Sequence, residues 1–332
     1  MERISSNPFL TPALLRQSSE LRAGLQKATQ EMTTGKFFDQ GKALRGDFSA
    51  LAATDHALAR LVGFAAATTE LTLMGETMQR ALSVISEATT ELAANLLRTT
   101  SGASDTLLSS ILSTGMRDFN TASSALNTRL ADKSVFGGDA SDRLALPGSE
   151  TILTALETAI AGLTDVDDIS NAIDDWFNGT AGYQALYTGG QGRVGLNVAP
   201  GETASLPFTA LDPAIRATLA GLSKVALLDR GLFTGDHASR SALALRAGEN
   251  LFNSSEARTV LAGRIGTVEQ QLSQAQSRNS AEKSALALTR NGLTEADPYE
   301  ATVRLKDLES RLDAFYTITA RLSQLSLTGY LR

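Results

Sequence analysis

Two long stretches of this 332-residue chain, residues 13–146 and 214–297, contain no proline. Proline in the interior of a helix costs about 3 kcal/mol, so its absence over such lengths permits long uninterrupted helices. Four of the seven prolines fall between residues 147 and 213. The middle of the chain is therefore expected to fold differently from the segments on either side of it.

Apolar residues recur at alternating intervals of three and four in four segments. This is the heptad spacing, which places one apolar row along a helix face. Helices of this length must lie alongside one another, so we expect an elongated rod. The last row follows a helix start in which Asp297 caps, Pro298 takes the first position and Glu300 completes a capping box. The rows are Leu14, Ser18, Leu21, Leu25, Ala28 and Met32; Leu71, Met74, Met78, Ala81, Ile85, Ala88 and Leu92; Leu261, Ile265, Val268, Leu272 and Ala275; and Ala301, Leu305, Leu308, Leu312, Phe315, Thr319 and Leu322.

The middle of the chain mixes both periodicities. Helical spacing covers residues 149–163, alternation surrounds the Pro-Gly turn of residues 193–209, and a helix is expected over 212–227. The predicted fold is mainly α, an elongated coiled-coil rod of the N- and C-terminal helices with a small α+β domain inserted. The predicted divisions are terminal assembly helices at 1–42 and 293–332, a helical rod at 43–136 and 236–292, and an inserted outer domain at 137–235.

Composition excludes several classes of protein. The chain has no Cys and only two His, which removes disulfides, thiolate metal sites and cysteine nucleophiles. A net charge of -6 without basic runs argues against a nucleic-acid partner. Charges spread through the first thirty residues predict no cleavable signal peptide, and no stretch of roughly 18 residues is read as a membrane span.

Three motifs are interpreted as structural. Gly190, Gly192 and Gly195 spell G-x-G-x-x-G, but the following residues run into Pro200 and open no helix, so a hairpin loop is predicted. The acidic run 165–168 is interpreted as a helix cap and not as a calcium loop. His56 and His237 each follow an aspartate, yet the other parts of a triad are missing. We predict no catalytic residue, no cofactor and no metal.

Three stretches carry a likeness to a known family. They are LRAGLQKATQEMTTGKFFDQ (21–40), LNTRLADKSVFGGDASD (126–142) and the C-terminal run 297–332, which ends in a Leu-Ser-Leu segment. They resemble the bacterial flagellin family, and the C-terminal run is most similar to its hook-filament junction proteins. Two departures favour the junction branch over filament flagellins. Gly46-Asp47-Phe48 stands where flagellins and many junction proteins carry an Asp-Asp pair, and residues 322–331 lack the Asn/Gln-rich stretch near the end of filament flagellins.

The resemblance implies a structural, non-enzymatic subunit of the bacterial flagellum, exported without a cleaved signal and self-assembling into a ring outside the cell. Its implied partners are itself, a neighbouring hook-associated protein and flagellin, with no nucleic acid and no membrane. An export chaperone stays an open alternative. The assembly residues expected to pack in the inner tube are Leu14, Leu21, Leu25, Met32, Leu305, Leu308, Leu312, Phe315, Leu322 and Leu325.

Two other readings remain. A filament flagellin would have the same architecture and differ in copy number and neighbours. A signalling coiled coil, like the cytoplasmic part of a chemoreceptor, would form one continuous hairpin, which the proline-rich middle disfavours.

Overall fold

The structure is a computed structural model that describes residues 10–98 and 104–330, with side chains described for 12–98 and 104–321. Helices dominate these ranges, which confirms the mainly α class predicted from the sequence. The elements, in chain order, are α1 Leu10–Thr34, α2 Gln40–Ala43, α3 Ser49–Arg98, α4 Asp105–Leu126, β1 Arg129–Leu130, β2 Lys133–Ser134, α5 Ser149–Ala159, α6 Val166–Asn178, α7 Tyr183–Leu186, β3 Leu196–Ala199, β4 Glu202–Ala204, α8 Pro213–Asp229, α9 His237–Thr294 and α10 Pro298–Tyr330.

Strands form only two short antiparallel hairpins within the described ranges, β1 with β2 and β3 with β4. The second is the hairpin predicted from alternation, with Leu196 opposite Ala204 and a turn at Pro200-Gly201. Gly201 has a φ of 73°, a left-handed conformation that a side chain disfavours. The first hairpin was not predicted, because strands of two residues leave no periodic pattern to detect.

The chain packs into two compact units. Unit 1 comprises Met1–Leu61 and Ala281–Arg332, and unit 2 comprises Val62–Ser280. Unit 2 contains the predicted inserted domain together with most of the predicted rod. The two units do not test the division into terminal helices, rod and inserted domain, which stays a prediction.

Unit 2 is built around the predicted apolar rows of α3 and α9. In each row nearly every member is buried in the protein, as heptad spacing predicts. The two helices run antiparallel, since Gln79 Nε2 donates to Ala262 O at 2.8 Å while Gly248 lies against Leu96. The buried members are Leu71, Met74, Met78, Ala81, Ile85 and Leu92 on α3, and Leu261, Ile265, Leu272 and Ala275 on α9.

An aromatic cluster forms the other part of the unit 2 core. Phe119, Phe136, Phe177 and Tyr183 are fully buried, and the Tyr183 hydroxyl donates to Ala210 O at 3.1 Å. Aromatic rings bury large apolar areas, so this cluster stabilises the segment between β2 and α8. Helix α8 is buried on almost every side.

Close helix packing joins α8 to α4. A Cβ added at Gly115 on α4 would lie 2.2 Å from Val225 Cγ1 on α8, so glycine is required for this approach. Helix α8 starts as the sequence predicts, since Asp212 Oδ1 accepts from Ala214 N at 3.0 Å and Pro213 takes the first helical position.

One sequence inference about membranes needs correction. Helix α3 contains an 18-residue window with a mean hydropathy of 1.3, so among the described residues one helix is long and apolar enough to span a membrane by length and composition alone. The inference failed because alanine, abundant in this helix, raises hydropathy without forming a run of large apolar residues. The same helix places Leu71, Met74 and Met78 in the protein's own core.

Two phenylalanine substitutions test which side chains form the core of unit 2. Phe119→Ala should lower the free energy of unfolding by about 3 to 5 kcal/mol, because Phe119 is 0% exposed and its removal leaves a cavity. Phe252→Ala should change it by less than about 0.5 kcal/mol, since Phe252 is 63% exposed. Urea unfolding followed by the fluorescence of Trp176, which lies in unit 2, measures both. Equal effects would contradict the core assigned here.

Candidate assembly surface

Unit 1 brings the two terminal helices together as an antiparallel pair. A Cβ added at Gly24 on α1 would lie 3.4 Å from the methyl groups of Leu308 on α10. Further along, Arg22 Nη2 donates to the Tyr316 hydroxyl at 2.9 Å. Each of these contacts joins positions nearly 300 residues apart in the sequence, so the ends of the chain form one structure.

The end of α1 and the start of α10 are fixed by local signals that are visible in the sequence. Helix α1 stops before Gly35, whose φ of 66° suits glycine. Helix α10 starts after Asp297, whose Oδ1 accepts from Tyr299 N at 2.8 Å. Backbone bonds of 3.0 Å, from Phe37 N to Thr294 O and from Ala296 N to Gly35 O, tie the two breaks together.

The predicted apolar rows lie in less exposed positions of this pair, with one exception. Ala28 and Ala301 are buried, and the larger row members are half-buried while their neighbours are exposed. Met32 is instead 50% exposed, and Glu31, at 8%, takes its place in the row. The half-buried members among the candidate assembly residues are Leu14, Leu21, Leu25, Leu305, Leu308, Leu312 and Phe315, whereas the side chains of Leu322 and Leu325 lie outside the described residues.

Glu31 is a buried position that the apolar pattern could not reveal. Its Oε2 accepts from Arg304 Nη1 at 3.0 Å, and its Oε1 accepts from Phe38 N at 3.1 Å. One carboxylate therefore bonds both α10 and the segment that follows α1. The heptad spacing continues through Met32, so the sequence carries no signal that Glu31 is buried instead.

The α1-α10 pair also carries large apolar side chains that stay exposed. We call them the outer apolar residues. Except for Met32, which belongs to the predicted α1 row, they were missed because they lie beside the heptad rows and not on them, so a search for one row per helix passes over them. They are Leu15, Met32, Tyr299, Val303, Tyr316 and Ile318, of which Leu15 and Tyr299 are the most exposed.

The glycine motif and the acidic run have structural partners. Gly190 N donates to Gly137 O at 2.9 Å and Asp139 N donates to Gln191 O at 2.8 Å, and the loop then leads into β3 and not into a helix. In the acidic run, Asp165 Oδ1 accepts from the backbone N of Asp167 and Asp168, which confirms the helix-cap interpretation.

The two histidines do not pair with the aspartates that precede them. His237 Nδ1 lies 2.5 Å from Asp105 Oδ1, while Asp236 accepts from Ser239 and caps α9. Asp55 accepts from Arg290 Nε at 2.7 Å. Within the described part of the chain, no group of three or more His, Asp or Glu side chains is arranged to hold a metal ion.

Comparison with known proteins identifies the C-terminal quarter of the chain. Residues 255–331 match the bacterial flagellin C-terminal helical region. This quarter of the chain is similar to a flagellin C-terminal region. The match covers most of α9 and all of α10, which is the α10 side of the helix pair described above. It confirms the resemblance to the flagellin family stated from the sequence.

One solved structure shows a likeness in fold. The chain is similar to FlgL from Bacillus cereus with a TM-score of 0.51 and 13% sequence identity, over 72% of this chain and 100% of that one. A structure described as a flagellar hook-associated protein from Vibrio parahaemolyticus gives 0.49 and 14%, over 75% of this chain and 99% of that one. No curated protein sequence matches the chain.

The buried carboxylate yields a test of the helix pair. Arg304→Met should leave Glu31 with a backbone partner only, which weakens the α1-α10 pair by about 1 to 3 kcal/mol. Arg311→Met is the matched control on the same helix, because Arg311 bonds Asp307 in an exposed pair worth less than about 1 kcal/mol. Hydrogen exchange of the amides in residues 301–315 reports both variants. Unchanged exchange in Arg304→Met would contradict the role given to Glu31.

Proposed function

We propose that this flagellin-type chain is a structural subunit of the bacterial flagellum that joins hook to filament and self-assembles through its terminal helices. The role is mechanical and not enzymatic. The proposal places the protein outside the cell, with further copies of itself, a hook-associated protein and flagellin as its neighbours. It also includes export without a cleaved signal peptide.

The observation that carries the proposal is the pair of incompletely covered terminal helices in unit 1. A two-helix pair can bury one face of each helix and leaves the opposite faces open. In this pair the outer apolar residues are exposed, on helices whose inward rows are only half-buried. Exposed apolar side chains beside half-buried rows are what a further helix can cover. In the proposed assembly, the α1-α10 pair of another copy covers this exposed apolar surface.

Folding and assembly are coupled in this proposal. Isolated helix pairs gain little from propensity and depend on packing of their apolar faces for stability. The α1-α10 pair buries few side chains completely; among the described residues of these two helices they are Ala28, Glu31 and Ala301. Addition of a neighbouring copy would supply the missing apolar contacts. The terminal helices then become ordered in the assembled ring to a degree that the free monomer does not reach.

One observation favours the junction role over a filament flagellin, and a second fits either role. The Gly46-Asp47-Phe48 segment and the leucine-rich C-terminus without an Asn/Gln-rich stretch both depart from filament flagellins. A chain without Cys also suits export and assembly in an oxidising environment, because it cannot form wrong disulfides. The second point supports either flagellar role, so the first one decides between them.

The signalling coiled coil is disfavoured by unit 2. A continuous hairpin would need no aromatic core, yet Phe119, Phe136, Phe177 and Tyr183 are fully buried around α4 to α8. This compact folded region supports a subunit that has a folded body in addition to its assembly helices.

A matched pair of substitutions on α10 tests the assembly surface. Ile318→Asp should reduce incorporation into flagella at least tenfold, because a carboxylate buried between subunits costs several kcal/mol. Ser310→Asp adds the same charge at an exposed polar position and should incorporate normally. Motility and immunoblots of sheared, purified flagella give the readout in cells that lack the native chain. Normal incorporation of Ile318→Asp would overturn the surface assigned to the outer apolar residues.

A substitution in the inward row tests the coupling of folding to assembly. Leu312→Asp places a charge in a half-buried position between α1 and α10, so both the helix pair and incorporation should be lost. Unit 2 should stay folded, with unchanged fluorescence of Trp176 and an unchanged unfolding midpoint. Loss of the unit 2 signal, or assembly at the normal level, would count against the proposal.

A further inference from the structure

Helix α3 leaves much of its apolar surface uncovered. Only 22% of the apolar window noted above is buried in the protein. Within unit 2, the predicted row accounts for the buried face, while Val62, Leu73 and Val84 stay exposed on another face. These three residues lie 11 positions apart, which is close to three helical turns, so they form one line along the helix. An apolar line of this kind is available to a partner.

Two neighbouring grooves run along this line. The first, of ≈ 560 Å³, lies between α3 and α4, and the second, of ≈ 530 Å³, lies between α3 and the β1-β2 hairpin. On α3 they are one helical turn apart, from Leu73 to Thr77, and on the opposite wall Thr128 is followed closely by Leu130. Together they form a trough about 30 Å long over residues 65–84 of α3. We call it the α3 trough.

The charged residues that line the α3 trough are two cations and one anion, Arg80, Lys133 and Glu70, which gives a net charge of +1. Glu70 Oε1 accepts from Lys133 Nζ at 3.0 Å and also lies 3.5 Å from Arg193 Nη1. Arg80 is exposed, and its ion pair among the described residues is with Glu76, at 3.4 Å on the same helix. Arg80 is therefore free to meet a carboxylate from another molecule.

Helix α9 carries a second exposed apolar line in unit 2. Leu245, Phe252 and Val260 are exposed and lie seven and eight positions apart, which is about two turns each. Their face is opposite the buried face of α9, which contains Leu251 and Leu261. We call these three exposed residues the α9 ridge. The ridge is about 22 Å long, so it fits within the length of the α3 trough.

The charged residues in line with the α9 ridge are both carboxylates. Glu249 and Glu256 lie about one turn on either side of Phe252. Glu249 bonds Arg246 at 3.4 Å, whereas Glu256 forms no ion pair among the described residues. The ridge therefore presents negative charge, opposite in sign to the trough. In either direction along the trough, a carboxylate stands within one turn of the Phe252 ring.

We propose that the α9 ridge of one copy docks in the α3 trough of the next copy of this chain. The occupant is a second copy because the chain itself carries a convex apolar helix face of fitting length and opposite charge. Phe252 is the anchor, since buried aromatic side chains carry much of the binding energy at interfaces. Ridge and trough are different surfaces, so the contact is head-to-tail, the type that closes rings. This inference rests on the proposed function and adds unit 2 to the assembly surface.

Photocrosslinking from position 252 locates the partner surface directly. Phe252 is replaced by p-benzoylphenylalanine in the full chain, in cells that lack the native chain, and crosslinked peptides from purified flagella are mapped by mass spectrometry. The proposal expects a crosslinked dimer of the chain, joined at residues 65–84 or 120–133. Crosslinks elsewhere in this chain, crosslinks to another flagellar protein, or none in flagella that contain the chain would overturn it.

Leu107 provides the control position for crosslinking. It is exposed on α4 and lies about 20 Å along that helix from the α3 trough, outside both surfaces. The same photoreactive residue at Leu107 should give no dimer joined at the trough. A dimer of equal yield from both positions would show non-specific contact and contradict the docking.

Substitutions on each surface give a second readout. Phe252→Asp and Leu73→Asp should each reduce incorporation into flagella at least tenfold, because each places a carboxylate in the docked interface. Both positions are exposed in the monomer, so the unfolding midpoint followed by Trp176 fluorescence should not change. Leu107→Asp is the matched control and should incorporate normally. Normal incorporation of either Phe252→Asp or Leu73→Asp would overturn the docking.

The same experiment separates this inference from the proposed function. Absence of the wild-type chain from flagella overturns the proposed function and, with it, the docking of unit 2. Normal incorporation of the wild type and of Phe252→Asp, together with loss of Ile318→Asp, keeps the proposed function and removes only the docking of unit 2.

Discussion

A pair of helices can bury only one face of each helix, and unit 1 is shaped by that constraint. The inward rows of α1 and α10 meet along an antiparallel seam, but only the small residues Ala28 and Ala301 and the carboxylate of Glu31 are buried in it. The larger residues of the rows remain half-buried, and the outer apolar residues remain exposed. Uncovered apolar surface of this kind is what the proposed assembly with further copies would bury.

Unit 2, in contrast, covers the apolar rows of its helices within one chain. Its long helices α3 and α9 also carry heptad rows, yet α4, α8 and the aromatic cluster around Tyr183 cover them within one chain. Aromatic side chains bury more area per residue than the Leu, Met and Ala of the rows. Unit 2 therefore has its core within one chain.

Heptad spacing predicted the helices and their buried faces well, because a 3-4 repeat corresponds directly to one helix face. The rows of α3, α9 and α10 are those given by the sequence, as are the helix starts at Asp212 and Asp297. The spacing predicted that Met32 is buried. Near the end of α1, Glu31 is buried instead and bonds Arg304 and Phe38. It also missed most of the outer apolar residues, because they lie beside the apolar rows and not on them.

The proposed role, a subunit of a short ring between hook and filament, is tested most directly by the abundance of this chain in flagella. Quantitative mass spectrometry of purified flagella gives the copy number of this chain relative to hook and filament subunits. A junction subunit should give a ratio that corresponds to one ring per filament. A large excess over hook subunits would make the chain a filament flagellin, and its absence from purified flagella would contradict the flagellar role altogether.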